Sequence, residues 1–173
     1  DSRLRGNDGK GWLDDAAAPG SPMTSAPFDI RPFEPSDSDG CAAIYLAGRR
    51  IAFPWVPPDR FLAADFAADT QGEEITVAAE RDGTPVGFVS AFRSGSFIHH
   101  LFVQPERRGQ GIGRALLRHA VTSLPSPCRL KCVIANRPAM EFYRRQGWVE
   151  EERGEDDLGP YATLLLRDGR SRR

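Results

Sequence analysis

The residues best placed to do chemistry form one stretch: Arg108, Gly109, Gln110, Gly111, Ile112, Gly113 and Arg114, entered from an apolar run that ends at Val103. A strand that turns through glycines into a helix leaves several backbone N–H groups unpaired, at the positive end of the helix dipole. That is an anion site. Glycine also lets a ligand come close to the main chain, because no Cβ blocks it. A phosphate or pyrophosphate fits such a turn. A glycine-rich turn with no ligand is the plainer alternative.

Two phosphate loops can be tested against these residues. A Walker A loop ends in Gly-Lys-Ser or Gly-Lys-Thr, and neither occurs in the chain. The dinucleotide fingerprint G-x-G-x-x-G finds its first pair in Gly109 and Gly111, but position 114 is arginine. It also calls for an acidic residue about twenty positions on, where the chain has Cys132-Val133-Ile134.

The elements that must position this loop follow from periodicity and turn signals. Phe28 to Phe33 alternates as a half-buried strand does. Ser36 offers an N-cap for a helix over 37–52, with Ile44, Tyr45 and Ile51 buried. Pro54, Pro57 and Pro58 break it, and a second helix is expected over 59–69. A meander follows: Glu74 to Glu80, the turn signal Asp82-Gly83, Pro85 to Phe92, then Ser96 to Val103. Beyond the glycines, Ile112, Leu116, Leu117, Ala120 and Leu124 share one face of a helix running to Ser123. Cys128 to Ile134 reads as a central strand. Asn136-Arg137-Pro138 opens a further helix, which Gly147 closes. Trp148 to Glu152 and Tyr161 to Leu166 read as the last two strands. The order is β-α-α-β-β-β-α-β-α-β-β, an α/β (α+β) fold on a mixed sheet.

Two motifs in this order carry a resemblance. Arg108-x-x-Gly111-x-Gly113, reached through Val103-x-Pro105, is similar to the acetyl-CoA loop of the GCN5-related N-acetyltransferase (GNAT) superfamily. Asn136-x-x-Ala139-x-x-Phe142-Tyr143-x-x-x-Gly147-Trp148 is similar to that superfamily's second CoA-facing segment, with Trp148 where phenylalanine is usual. The resemblance spans about 28 to 166.

The resemblance implies a mostly antiparallel sheet, splayed between its fourth and fifth strands, with helices on both faces. It implies acetyl-CoA as co-substrate and an N-acetyltransferase acting on a primary amine: a small molecule, an amino acid, a peptide N-terminus or a lysine. A non-catalytic acyl-CoA sensor of the same fold is the alternative. Main-chain groups of Leu101, Phe102 and Val103 would pair with the pantetheine as an added strand. The amides from Gly109 to Arg114 would hold the pyrophosphate, with Arg108 adding charge. Asn136 would touch the pantetheine, cap its helix, or both. Tyr143 aligns with the tyrosine that serves as general acid. His99 matches a histidine of the aralkylamine branch and is the first candidate for base, with His100 the second; many members of the superfamily use a glutamate or only a chain of waters instead. Strict alternation along the strand would put His99 on one face with Leu101 and Val103, and His100 on the other; a bulge would change that. Trp55, Phe61 and Tyr161 are candidates for the acceptor pocket, though plain packing explains Trp55 and Phe61 equally well.

Composition bounds the rest. The chain has 173 residues, 40% hydrophobic and 27% charged, with a net charge of −1. That suits one globular domain over 27–168 and argues against a nucleic-acid partner. No apolar run reaches the roughly 20 residues of a membrane span, so no membrane partner is expected. Residues 1–26 are polar and aperiodic, and read as a disordered leader, tag or extension; 169–173 read as a frayed tail. Cys41, Cys128 and Cys132 suit reduced thiols and a cytoplasmic protein. The histidines show no zinc-type spacing, and no metal is expected. The acids from Glu150 to Asp157 would favour a cationic acceptor or form a solvated hairpin. A monomer or a homodimer would both accommodate these features.

Overall fold

The computed structural model describes residues 27–167; the expected leader and tail lie outside the described residues. A seven-stranded sheet forms the middle layer. Its order is β1 (Asp29–Pro32), β2 (Glu74–Ala79), β3 (Pro85–Phe92), β4 (Phe97–Val103), β5 (Cys128–Val133), β7 (Gly159–Leu166), β6 (Val149–Asp156). All neighbours are antiparallel except β4 and β5. That parallel pair joins only at Phe97–Arg129 and Ile98–Leu130. Past Ile98 the strands part. β4 runs on beside β3, and β5 beside β7.

Helices cover both faces. α3 (Ile112–Ser123) buries Ile112, Leu116, Leu117 and Ala120, the stripe its sequence period announces. They meet Ile98, Cys128 and Leu130 in the larger core, which α4 (Arg137–Arg145) extends. Each such leucine or isoleucine removed from water contributes about 1.5–3 kcal/mol. Cys128 and Cys132 are buried free thiols in this core. On the other face, α1 (Ser38–Ala52) and α2 (Asp65–Asp69) enclose Tyr45, Phe66, Val77 and Phe88. α1 touches β4 at Gly48. A Cβ there would lie 2.2 Å from Cδ1 of the Phe102 ring, so only glycine permits this approach.

The structure corrects four local expectations. Asp37, not Ser36, stands at the N-cap of α1, after a 3-10 turn over Pro35–Asp37. Its carboxylate accepts from Arg31 at 2.7 and 2.8 Å and from the Glu34 N–H at 2.8 Å. Ile51 is not buried but 49% exposed. The second helix covers only 65–69. Pro58 to Arg60 is a 3-10 turn, Phe61 is extended, and Asp65 accepts from the Leu62 N–H at 2.9 Å, which starts α2 late. The last two strands are longer than expected and reach Asp156 and Gly159, because Asp156 Oδ1 accepts from the Leu158 N–H at 2.8 Å and tightens the turn between them.

Candidate active site

Where β4 and β5 part, a cleft of about 540 Å³ opens. Leu101, Phe102 and Val103 form one wall. The glycine loop, from Arg108 to Arg114, closes one end. Asn136, Ala139, Phe142 and Tyr143 supply the opposite wall, and Ile51, Pro54 and Trp55 reach in from the end of α1.

The loop is shaped by backbone. Gly109 and Gly111 have φ of 75° and 81°, left-handed values that cost most residues about 1–2 kcal/mol. Nothing lies within 4 Å of where a Cβ would project from either. Ala115 is the first residue to bond back into α3, to the Gly111 carbonyl at 3.0 Å. The N–H groups of Ile112, Gly113 and Arg114 therefore have no helical acceptor. Gln110 turns away from the cleft, and its Oε1 accepts from Arg107 Nε at 3.0 Å. Arg107 also pairs with Glu80, which braces the loop against the end of β2.

Asn136 caps α4: its Oδ1 accepts from the Ala139 N–H at 3.3 Å. Seven residues on along the helix, Tyr143 packs against Phe142 and Trp148, with ring centroids 5.2 and 6.0 Å away. Burial pushes its phenol well above the ordinary value of 10, so it keeps its proton at neutral pH.

The histidines lie at the fork. Across β3 and β4, Ser90 faces His100 and Ala91 faces Ile98, so His99 has no partner and bulges. The bulge defeats strict alternation. Ile98 joins Leu101 and Val103 in the α3-side core, while the His99 ring sits 3.9 Å from that of His100. His100 is buried, and its Nδ1 meets Ser90 Oγ at 3.0 Å. Burial lowers its pKa from 6.5, ahead of the opposing pull of Glu73. His99 is 40% exposed.

Glu73, just before β2, drew no attention in the sequence. Its side chain is wholly buried, and Oε1 pairs with His99 Nδ1. Oε2 has no hydrogen-bond partner and stands 3.8 Å from His100 Nδ1. Burial works to raise this carboxyl; His100, Ser90 and His99 around it outweigh that and hold it below the usual range. Among the described residues, these three alone bring His, Cys, Asp or Glu ligand atoms within 4.8 Å of one another. Only Gly72, with φ of 78°, hinted that the chain turns there to aim Glu73 inward.

The expected acceptor residues separate. Trp55 lines the cleft and donates Nε1–H to the Leu158 carbonyl at 3.0 Å, tying the segment after α1 to the β6–β7 turn. Phe61 is 4% exposed and packs on Phe53 and on the Arg49 guanidinium, 4.8 Å from its ring. Tyr161 is half-buried on β7 beneath the Lys131 ammonium at 4.2 Å. Neither borders the cleft. The acids on β6 pair with neighbours: Glu151 with Arg129 at 2.7 Å, and Asp156 with Lys131.

Comparison with known proteins decides the family. The model of the acetyltransferase (GNAT) family matches residues 40–148. The chain belongs to that family. This acetyltransferase is 36% identical over 107 residues to the peptidyl-lysine N-acetyltransferase YjaB of Salmonella typhimurium, a match covering 61% of this chain and 70% of that protein. It is 32% identical over 145 residues to a mycothiol acetyltransferase of Streptomyces bingchenggensis, covering 76% of this chain and 46% of that one. In fold it resembles apo YjaB from Escherichia coli, with a TM-score of 0.68, 23% identity, and coverage of 80% of this chain and 96% of the other. It also resembles a spermidine N-acetyltransferase from Vibrio cholerae in complex with CoA and spermine, with a TM-score of 0.60, 14% identity, and coverage of 83% and 96%. Among the described residues no helix is long and apolar enough to cross a membrane.

Proposed function

We propose that this acetyltransferase moves an acetyl group from acetyl-CoA to a primary amine by direct attack in a ternary complex. The observation that carries the reading is the parting of β4 from β5 into a cleft that ends on the glycine loop. Acetyl-CoA would supply the activated acetyl thioester. The residues present fit it. The exposed edge of Leu101, Phe102 and Val103 offers main-chain groups for an extended arm. Free N–H groups from Gly109 to Arg114, with the Arg108 guanidinium beside them, suit a pyrophosphate. The space where Gly109 and Gly111 lack a Cβ lets it reach them. Asn136 holds the start of α4 against the same cleft.

The protein's groups then divide the proton work. An amine attacks only when neutral, and His99, exposed where the strands divide, takes its proton; His100 is the second candidate. A β4 backbone N–H can stabilise the oxyanion. Tyr143, which keeps its proton, donates to the departing sulfur. Trp55 borders the acceptor's approach. The naming of the Salmonella relative as a peptidyl-lysine N-acetyltransferase makes lysine peptides the first acceptors to try.

The test is thiol release from acetyl-CoA across lysine peptides, amino acids and polyamines. Turnover with at least one acceptor is expected. Tight CoA binding with no turnover on any amine overturns the reading in favour of a sensor. Stabilisation by ATP or NAD but not by CoA overturns both.

A further inference from the structure

We infer that Glu73 is a positioning residue: its buried carboxylate holds His99 Nδ1–H and thereby aims His99 Nε2 at the acceptor's proton. The inference rests on the acetyltransferase reading above and deepens it. No sequence motif includes Glu73. It follows Gly72, whose φ of 78° turns the chain just before β2.

Three features of the structure support it. First, the carboxylate makes its close contact with Nδ1 of His99, which leaves Nε2 as the free nitrogen. That is the division of labour in a carboxylate–histidine pair, where the acid fixes the tautomer and stabilises the imidazolium as it forms. Second, the Glu73 side chain is wholly buried whereas His99 is 40% exposed. The charge therefore sits in a shielded place, and of the pair only the imidazole is exposed, where β4 leaves β5 and outside the residues that line the cleft. A buried carboxylate with one unpartnered oxygen is costly, and that cost needs a return elsewhere. Third, the bulge is what turns His99 away from the core. A regular strand would have buried it with Leu101 and Val103, out of Glu73's reach.

His100 has a different part. Its Nδ1 is engaged by Ser90, burial favours its neutral form, and its ring lies tilted beside that of His99. A neutral imidazole at that place adds no positive charge to oppose the imidazolium at His99. The other charged or titratable groups facing the cluster are on α1 and α2. The Arg49 guanidinium also opposes a charge on His100. Tyr45, whose ring is 5.4 Å from that of His100, is tied through its hydroxyl to Asp69. The step is a balanced proton transfer: the ammonium N–H bond breaks, an Nε2–H bond forms on His99, and Glu73 stays ionised throughout.

The test compares the full-length protein with Glu73→Gln, His99→Ala and the double variant, once an acceptor is in hand. Glu73→Gln keeps the shape and removes the charge. It is expected to lower kcat about 10- to 100-fold, to move the acid limb of kcat/KM to lower pH, and to leave KM for acetyl-CoA unchanged. In the His99→Ala background the same change should cost nothing further, because the carboxylate acts through that ring. An equal cost in both backgrounds, or an unmoved acid limb, overturns the inference. So does activity lost to a chelator and restored by zinc, which would make the cluster a metal site. A readout without turnover keeps the inference separate from the proposed activity. Nitrogen NMR of the wild-type protein should show neutral His99 as the Nδ1–H tautomer, and the Nε2–H tautomer overturns the inference whether or not any amine is acetylated.

Discussion

The two sides of the fork are built from different materials. The side proposed for the donor uses main chain: free N–H groups of one loop, an exposed strand edge, a capped helix end. The side proposed for the acceptor uses side chains brought from far apart in sequence: Glu73, Ser90, His99 and His100 around one buried charge, and Trp55 reaching across to Leu158. Backbone recognition needs local geometry alone, and local geometry is written as spacing. A side-chain constellation needs the whole fold, and any residue facing the right way can complete it. The donor side should therefore tolerate changes that preserve its turn, and the acceptor side should respond to single functional groups.

The sharpest way to break this contrast is at Tyr143, where the two sides meet. Tyr143→Phe should lower kcat about 10²- to 10⁴-fold, with the Kd for CoA unchanged by calorimetry. A lost CoA affinity with normal kcat would move Tyr143 wholly to the donor side. The next effect is at Gly111. Gly111→Val places a β-branched residue at φ 81°, at a cost of about 1–2 kcal/mol. Its side chain also projects into the space facing the ligand. The Kd for CoA should weaken roughly tenfold or more, while the KM of the acceptor hardly moves. A smaller effect is expected at Trp55. Trp55→Phe removes one hydrogen bond worth about 0.5–1.5 kcal/mol and should raise acceptor KM severalfold with acetyl-CoA KM unchanged. The reverse pattern would place Trp55 on the donor side.

The mildest effect is on stability against pH. His100 has a pKa below its ordinary 6.5, because burial disfavours its charged form. The unfolded chain then takes up a proton at higher pH than the folded one. Stability is fully present above 6.5 and declines as the pH falls below it. Glu73, despite its burial, is held below its ordinary 4.5 by the groups around it, so it adds a second decline below that value. Urea midpoints measured from pH 8 to pH 4 should fall in both windows, and His100→Gln should lose the first decline. A flat wild-type midpoint between pH 7 and pH 5 would contradict the burial of His100.

The side proposed for the donor is legible in the sequence. Gly109, Gly111 and Gly113 marked the turn, the stripe from Ile112 to Leu124 marked the helix behind it, and the Asn136 to Trp148 segment marked the opposite wall. Each rests on a period or a dihedral that a single residue type betrays. The acceptor side was legible only in pieces. His99 and His100 were visible as titratable groups, but their shared orientation depends on a one-residue bulge opposite Ser90 and Ala91, which no local pattern announces. Glu73 looked like one more acid before a strand. Phe61 and Tyr161 are pocket candidates only through the resemblance, and no local pattern in the sequence tells a pocket ring from a packed one. The structure gives one to the cover of Arg49 and the other to a lysine contact. The helix expected over 59–69 is shorter for a related reason: its alanines favour helix, but Pro57, Pro58 and the bond from the Leu62 N–H to the Asp65 carboxylate decide where one can start.

The bare α-carbon of Gly48 sets how closely α1 approaches β4. α1 rests directly on the Phe102 ring at that point, and Gly48, Ile51 and Ala52 on the same helix border the cleft. No side chain of Gly48 separates helix from strand there, so any larger residue at that position would force the helix away from β4. Gly48→Ala would therefore push α1 off the Phe102 ring, and Ile51 and Ala52, which border the cleft from the same helix, would move with it.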